Sequence, residues 1–243
     1  MNLIIDVGNS YVKLAVFSGN TLKQKMVVTN DDLSTSIVLI LKKYKSIKKG
    51  IISSVGKLEV EQFDEIKKTL DLFVLDSKTK LPFKNKYKTP QTLGVDRIAL
   101  VSASVKCFPK KDVLIIDAGT CITYDFKNNK NEYLGGGISP GLRVRYKSLN
   151  NLTANLPLLE TERPKSIIGQ STKESIHSGV VNGILNEIDG VINEYKQKYP
   201  DLTVILTGGD ANFLSKQLKS SIFAHSNFLL EGLNYILQTN LNE

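Results

Sequence analysis

The chain has 243 residues, of which 41% are hydrophobic and 23% are charged, and its formal net charge is +8. This composition is typical of a globular protein, and no apolar stretch approaches the roughly 20 residues that cross a bilayer, so we expect no membrane anchor. The excess lysines are spread over predicted loops and helix faces without interleaved aromatic residues, which argues against a nucleic-acid partner and favours a basic surface that attracts anionic nucleotides.

The cysteines and the N-terminus indicate the compartment. Cys107 and Cys121 do not stand in a paired motif with metal-ligand spacing, so we expect two buried free thiols. The chain opens directly into a strand pattern, rather than into a basic segment followed by an apolar helix and a cleavage site. We therefore expect a cytoplasmic protein.

The first half of the chain predicts three strands followed by alternating helices and strands. An apolar run ends at Asp6, and the next two strands are predicted over about Tyr11–Phe17 and over Thr21–Val28. After the helix-start signal at Asn30-Asp31-Asp32, a helical pattern begins at Leu33. The remaining predicted elements are a strand over Gly50–Ser54, a helix over Leu58–Leu70 and a strand over Leu72–Leu75.

The second half repeats this order. Its predicted strands are Val113–Asp117, Ile122–Phe126, Tyr133–Ile138 and, later, Val204–Leu206. Ser171 followed by Glu174 is a capping-box signature for one long helix, whose apolar ridge is Ile176, Val180, Ile184, Ile188 and Ile192. A polar break near Phe108–Asp112 predicts two lobes, 1–108 and 109–243.

Two nearly repeated runs, Leu3–Ser10 and Leu114–Cys121, are the most informative feature of the sequence. Each apolar run ends in an aspartate, and the two aspartates, Asp6 and Asp117, are 111 positions apart. In each run a glycine and small polar residues follow. Such a turn exposes backbone amides that bind anions. The repeat predicts a duplicated, two-lobed phosphotransferase whose turns hold a polyphosphate and its metal.

The common phosphate motifs do not account for such a site. The sequence has no G-x-G-x-x-G, and the nearest approach to a Walker loop, Gly50 to Lys57, has the wrong spacing and Leu58 where Ser or Thr is needed. His177 and His225 belong to no catalytic or metal-binding motif, so we expect them to be structural or surface histidines rather than catalysts.

The motifs that remain resemble, in order and over nearly the whole chain, those of type III pantothenate kinase. They are Asp6-x-Gly8-Asn9-Ser10 with Lys13, Gly94-Val95-Asp96-Arg97, Asp117-x-Gly119-Thr120 and Thr207-Gly208-Gly209-Asp210-Ala211. The segment Gly135–Gly141 is similar to the glycine-rich turn after the third strand of that family's second lobe. The resemblance implies an α/β fold of two duplicated ribonuclease H-like lobes, the actin-like ATPase fold, with a nucleotide cleft between them.

The resemblance also implies ATP-dependent phosphorylation of pantothenate to 4′-phosphopantothenate, with these roles. Asp96 is the general base. Asp6 holds magnesium through water, and Asp117 holds a monovalent cation, K⁺ or NH₄⁺. The implied ATP contacts are Asp6, Gly8, Asn9, Ser10, Lys13, Gly119, Thr120, Gly208 and Gly209. The implied pantothenate contacts are Tyr87, Gly94, Val95, Asp96, Arg97 and Thr172. The family completes its pantothenate pocket across a homodimer interface.

Two other functions are compatible with the same residues. A phosphohydrolase of the superfamily, such as an exopolyphosphatase, would use water in place of the acceptor alcohol. A nucleotide-sensing regulator would bind ATP without turnover. We expect the kinase, because a retired enzyme would have lost one of its charged residues.

Overall fold

The computed structural model describes residues 1–8, 11–54 and 60–241, and its contacts form two compact units. The first unit comprises Met1–Pro109 and the C-terminal segment from Asn227, and the second comprises Lys110–Ser226. Within the described stretches no helix is long and apolar enough to cross a membrane.

The first unit is built on a mixed sheet. Its strands pair in the order β3-β2-β1-β4-β5, antiparallel between β1, β2 and β3 and parallel between β1, β4 and β5. The elements are β1 (Asn2–Val7), β2 (Val12–Ser18), β3 (Thr21–Val28), α1 (Leu33–Lys43), β4 (Lys49–Ser54), α2 (Val60–Thr69), β5 (Asp71–Val74), β6 (Lys84–Asn85), a 3-10 turn (Pro90–Thr92) and α3 (Val95–Cys107).

The second unit repeats this topology. The strand order β9-β8-β7-β10-β11 has the same antiparallel meander and the same parallel neighbours as the first sheet. Its elements are β7 (Val113–Ala118), β8 (Cys121–Lys127), β9 (Glu132–Pro140), α4 (Leu142–Asn151), α5 (Thr172–His177), a π-helical turn (Ser178–Asn182), α6 (Gly183–Lys198), β10 (Thr203–Thr207), α7 (Ala211–Ser215) and β11 (Phe223–Ala224). The predicted α/β duplication is confirmed.

The apolar part of each repeated run lies in the central strand of its sheet. Leu3 and Ile5 of β1 pack with Leu33 and Ile37 of α1, and all four side chains are buried. In the second unit the strand β7 packs against the ridge of α6. A central strand is covered on both faces, which explains why both runs are apolar up to the aspartate.

The final helix, α8 (Phe228–Leu241), packs in the first unit, whereas the sequence assigned residues 109–243 to the second lobe. A Cβ on Gly232 would lie 1.9 Å from the carbonyl oxygen of Ala99 in α3. The missing side chain therefore lets the two helix backbones touch. Asn234 of α8 also accepts a hydrogen bond from Asn2 across 2.9 Å.

Two local predictions are wrong, and a third is right only in part. The predicted long helix after Ser171 is interrupted by the π-helical turn, although its ridge is buried as expected. The predicted strand Tyr133–Ile138 is present, but β9 continues to Pro140, so most of the segment that resembles a glycine-rich turn, Gly135–Gly141, lies inside the strand. A Cβ on Gly136 would lie 1.5 Å from the carbonyl oxygen of Tyr124 on the neighbouring strand, so the strands approach closely there. Cys107 and Cys121 are free thiols but are exposed, since each lies at an end of its element.

Candidate active site

Asp6 lies near the end of β1 and contacts side chains of both neighbouring strands. The strand register places it opposite Lys13 on β2 and Ser53 on β4. Lys13 Nζ lies 3.4 Å from Asp6 Oδ2, and the Ser53 hydroxyl donates to Oδ1 across 3.1 Å. Ser53 lies outside every motif of the predicted site, although a polar residue near the carboxyl end of a buried strand is a signal that could have indicated it.

The Asp6 carboxylate is almost fully removed from solvent, with 4% of the residue exposed. Burial raises its pKa, and the Lys13 charge and the hydrogen bonds from Ser53 and Lys13 only partly oppose this effect. The negative charge of Asp96 raises the pKa further. A carboxylate that has lost its water and has one lysine nearby favours an additional cation, so the site fits magnesium held by one carboxylate together with substrate phosphates.

The turn after β1 begins at Gly8, whose amide donates to the carbonyl oxygen of Tyr11 across 3.1 Å. A Cβ on Gly8 would lie 3.1 Å from the same oxygen, so the turn is tight there. The predicted phosphate contacts Asn9 and Ser10 lie outside the described residues.

A second group of predicted residues lies at the start of α3. Gly94 is the residue before the helix, Val95 is its first residue, and Asp96 lies in the first turn, where the helix dipole favours a carboxylate. Asp96 Oδ1 accepts a hydrogen bond from the amide of Arg97 across 2.8 Å. A Cβ on Gly94 would lie 2.4 Å from that oxygen, so glycine leaves room for the carboxylate.

Arg97 is buried rather than exposed on the surface. Only 5% of the residue is accessible, and its guanidinium carbon lies 5.6 Å from the centre of the Tyr87 ring. A desolvated guanidinium beside an aromatic ring is suited to bind a carboxylate. The structure thus brings together Tyr87, Gly94, Asp96 and Arg97, four residues to which the resemblance assigns pantothenate contacts.

In the second unit the residues around Asp117 and Gly208 meet at the carboxyl ends of two parallel strands. Asp117 of β7 is opposite Thr207 of β10. Gly208 has a φ of +97°, and a Cβ there would lie 2.2 Å from the Ala118 carbonyl oxygen and 2.4 Å from Asp117 Oδ1. Only glycine is compatible with both constraints.

A hydrogen bond also joins the two chain segments, since the Asp210 amide donates to Ala118 O across 2.9 Å. Within the turn after β7, the Gly119 amide donates to Cys121 O across 2.9 Å. Thr120 is exposed, and a Cβ on Gly209 would meet no atom within 4 Å. Burial raises the pKa of Asp210. The predicted residues Asp117, Gly119, Thr120, Gly208 and Gly209 therefore form one open, glycine-lined turn region.

Thr172 lies in a different part of the second unit, at the first position of α5. It lines a cavity of about 890 Å³ with Arg145, Gln170 and Ile176. The capping box is half formed: the Ser171 hydroxyl accepts from the Glu174 amide, but the Glu174 carboxylate accepts from the amide of Gln170. In the same helix the lone histidine His177 is buried, and its Nδ1 lies 2.8 Å from the Tyr146 hydroxyl.

No group of three or more His, Cys, Asp or Glu side chains is arranged to hold a metal in the part of the chain that the structure describes.

The sequence is similar to one well-defined family. A family model of type III pantothenate kinase matches residues 2–194. A protein of Christiangramia forsetii named type III pantothenate kinase is 53% identical over 240 residues, covering 99% of each chain. A protein of Flavobacterium johnsoniae with the same name is 49% identical over 238 residues, covering 98% of each chain.

Solved structures show the same fold at low sequence identity. A conserved putative Baf family transcriptional activator from Campylobacter jejuni has a TM-score of 0.67 at 22% identity, over 99% of this chain and 100% of that one. A glucokinase from an Antarctic psychrotroph has a TM-score of 0.55 at 10% identity, over 98% of each chain. These likenesses confirm the predicted two-lobed kinase fold class.

Proposed function

The chain belongs to the type III pantothenate kinase family, and we propose that it transfers the γ-phosphoryl group of ATP to the primary hydroxyl of pantothenate. The product is 4′-phosphopantothenate, in the first step of coenzyme A synthesis. The observation that carries this proposal is the half-buried carboxylate of Asp96 beside the buried guanidinium of Arg97. Asp6 lies close enough that the negative charge of Asp96 raises the pKa of Asp6.

Asp96 acts as the general base toward the hydroxyl of pantothenate. Phosphoryl transfer passes through a loose transition state, so this carboxylate orients the hydroxyl and accepts its proton late. Arg97 and Tyr87 bind the carboxylate end of pantothenate, and the backbone of Gly94 and Val95 lines the same site. A planar guanidinium can donate two parallel hydrogen bonds to one carboxylate, which supports the role of Arg97 in binding pantothenate.

The turn after β1 binds the triphosphate of ATP. Gly8, Asn9 and Ser10 contribute amides and a hydroxyl, and Lys13 contributes a positive charge. Asp6 is the residue that holds magnesium, through water. The metal supplies charge neutralisation to the transferring group when it is bound. The buried carboxylate of Asp6, held by Lys13 and Ser53, supports this role.

The corresponding turn of the second unit is assigned to the same nucleotide. Gly119 and Thr120 bind phosphate, and Gly208 and Gly209 bind the adenosine part. Asp117 holds a monovalent cation, K⁺ or NH₄⁺. The shared topology of the two units supports this pairing of roles, because both central strands carry an aspartate at the next-to-last position. Activity that is equal in potassium, ammonium and sodium salts would exclude the cation site.

Thr172 completes the pantothenate site in a homodimer. Leu152, Ile167 and Ile168, which are close in sequence to residues that line its cavity, are exposed, and exposed apolar side chains are typical of an interface when they form one patch. We place the enzyme in the cytoplasm, where ATP is available. Sedimentation at equilibrium tests the dimer, and a monomer at micromolar concentration would exclude it.

The reaction is tested by coupled detection of ADP with ATP, magnesium, potassium and pantothenate. We expect ADP release that depends on pantothenate. Release of phosphate without an acceptor would instead identify a phosphohydrolase, and ATP binding without any product would identify a nucleotide-sensing regulator. No turnover with any nucleotide or cation would exclude the kinase.

A further inference from the structure

The turn at Gly119 and Thr120 rests directly on Gly141, the residue before α4. The Gly141 amide donates to the carbonyl oxygen of Thr120 across 3.0 Å. A Cβ on Gly141 would lie 2.0 Å from Gly119 O and 2.7 Å from Thr120 O. The two backbone segments are therefore in contact, and any shift of Gly141 moves the turn.

Arg145 holds the two residues that precede Gly141. Its Nε donates to the Pro140 carbonyl oxygen across 2.9 Å, and its Nη2 donates to the Ser139 hydroxyl across 3.1 Å. Its own amide donates to Gly141 O across 3.1 Å in the first turn of α4. A planar guanidinium binds several acceptors in a fixed geometry, so this side chain fixes the end of β9 relative to the helix.

Glu187 of α6 orients that guanidinium. Its carboxylate accepts a short hydrogen bond from Arg145 Nη2, and its other oxygen accepts from the Tyr124 hydroxyl across 2.8 Å. The Arg145 and Glu187 side chains are only 22% and 27% exposed. Partial burial raises the pKa of Glu187, but hydrogen bonds from Arg145, Ser139 and Tyr124 outweigh this effect, so the pKa lies below its ordinary value and the carboxylate is charged at neutral pH.

The network reaches β8, the strand that follows the turn, and β9, the neighbour of β8 in the sheet. Tyr124 belongs to β8, which begins at Cys121 directly after the turn, and Ser139 and Pro140 belong to β9, which ends directly before Gly141. In the register, Cys121 is paired with Pro140 and Ile122 with Ser139. One guanidinium and one carboxylate thus tie β8, β9, α4 and α6 together at the place where the turn emerges.

We propose that Arg145, oriented by Glu187, is a positioning residue that holds the turn Gly119–Thr120 in the geometry that binds the nucleotide phosphates. This inference rests on the proposed function, because it assumes that the turn binds phosphate. Arg145 acts through Pro140 and Gly141. It also lines the cavity that contains Thr172, so the test separates this role from direct contact with pantothenate.

Arg143 provides a matched control on the same helix. Its Nη1 donates to the carbonyl oxygen of Leu159 across 3.0 Å, and its Nη2 lies 3.0 Å from the Glu160 carboxylate. Like Arg145, it binds one carbonyl and one carboxylate, but its partners lie in the segment after α4 rather than beside the turn. Arg145→Ala and Arg143→Ala therefore remove similar contacts from different places.

The test measures the Kd of ATP with magnesium by calorimetry, and the KM of each substrate and kcat, on the full chain. We expect Arg145→Ala to raise the Kd of ATP about tenfold or more, since misplacing a positioned group by about 1 Å costs up to about a hundredfold. Glu187→Gln raises it in the same direction by less. Arg143→Ala changes it less than about twofold, and the KM of pantothenate is unchanged in every variant.

Hydrogen exchange gives a readout that does not depend on turnover. Amides of the peptide spanning 117–123 exchange faster in Arg145→Ala and Glu187→Gln than in Arg143→Ala. The proposal is overturned if Arg145→Ala binds ATP as Arg143→Ala does, or if its defect is confined to the KM of pantothenate. Should Arg145→Ala fail to fold, Glu187→Gln decides by the same criteria.

The outcomes also separate this inference from the proposed function. A wild-type protein that binds ATP but does not phosphorylate pantothenate refutes the kinase and leaves the comparison of ATP affinities valid. A wild-type protein that phosphorylates pantothenate, with an Arg145→Ala variant of unchanged ATP affinity, refutes the positioning role alone. A wild-type protein that binds no nucleotide overturns the positioning role as well.

Discussion

The Ser53 hydroxyl donates to Oδ1 of Asp6 across 3.1 Å, although the two residues are 47 positions apart. The parallel pairing of β1 with β4 places them opposite each other, and both residues are buried. The contact from Lys13, at 3.4 Å and partly exposed, is longer. Ser53 thus holds one carboxylate oxygen of Asp6 from inside the core, and Lys13 lies against the other.

Ser53→Ala is expected to lower kcat/KM for magnesium-ATP about tenfold or more, because hydrogen bonds to charged groups are worth about 1.5–3 kcal/mol. Steady-state kinetics over a range of magnesium concentrations checks this. The control is Ser104→Ala, since the Ser104 hydroxyl is also buried but donates to Val101 O of its own helix across 2.7 Å. Equal activity of both variants would contradict the role of Ser53.

Asp96→Asn is expected to leave the Kd of ATP nearly unchanged and to lower kcat about a hundredfold or more, the usual size of a lost general base. Asparagine keeps the shape of the side chain and an oxygen that accepts from the Arg97 amide, so the start of α3 is preserved. Calorimetry and single-turnover kinetics measure the two effects. Asp71→Asn, an exposed carboxylate on β5, is the control. An Asp96→Asn enzyme with wild-type kcat would exclude Asp96 as the base.

Gly208→Ala is expected to lower the free energy of unfolding by about 1–3 kcal/mol, because a non-glycine residue is strained at a φ of +97° and its Cβ would collide with Ala118 O. Gly190→Ala is the control, since Gly190 lies inside α6 and its added Cβ meets no atom within 4 Å. That variant is expected to gain about 0.5–1 kcal/mol. Urea denaturation measures both, and an equal effect on the two variants would disprove the strain at Gly208.

Lys127 is fully buried, and its Nζ donates to Lys111 O across 3.0 Å and to Asn131 Oδ1 across 2.9 Å. Burial lowers its pKa to about 8, and the charge of Asp112 opposes this only in part. Lysine in the unfolded chain has a pKa of 10.5, so between these values the unfolded state binds more protons and this group makes folding more favourable as the pH rises.

The unfolding free energy of the wild type, relative to Lys127→Met, is therefore expected to increase as the pH is raised from about 7 to about 10. Urea denaturation at several pH values measures the difference between the two proteins. The methionine variant retains an unbranched apolar stem and does not titrate at this position. Subtracting its unfolding free energy therefore removes the pH dependence that all the other titratable groups contribute to both proteins. A difference that is constant with pH would show that Lys127 titrates alike in both states.

Local sequence patterns predicted the strands well but did not predict the break in the long helix after Ser171. The strand β3 has the predicted bounds, because its alternation of partly exposed and exposed residues is visible in the sequence. The π-helical turn Ser178–Asn182 was not visible, since the apolar ridge continues through it and Val180 and Val181 are both buried. The strand predicted over Tyr133–Ile138 contains the glycines of β9, but the sequence does not reveal that the backbone at Gly136 passes close to Tyr124.

The amino-acid sequence by itself determined the duplication, the apolar strands that end near Asp6 and Asp117, and the family, because each depends on short runs of residues and on their order. Only the tertiary structure decided that α8 packs with the first unit, that Ser53 meets Asp6, and that Arg145 and Glu187 join four elements beside Gly141. These pairings depend on close backbone approach and strand register between distant segments, and no local periodicity encodes them.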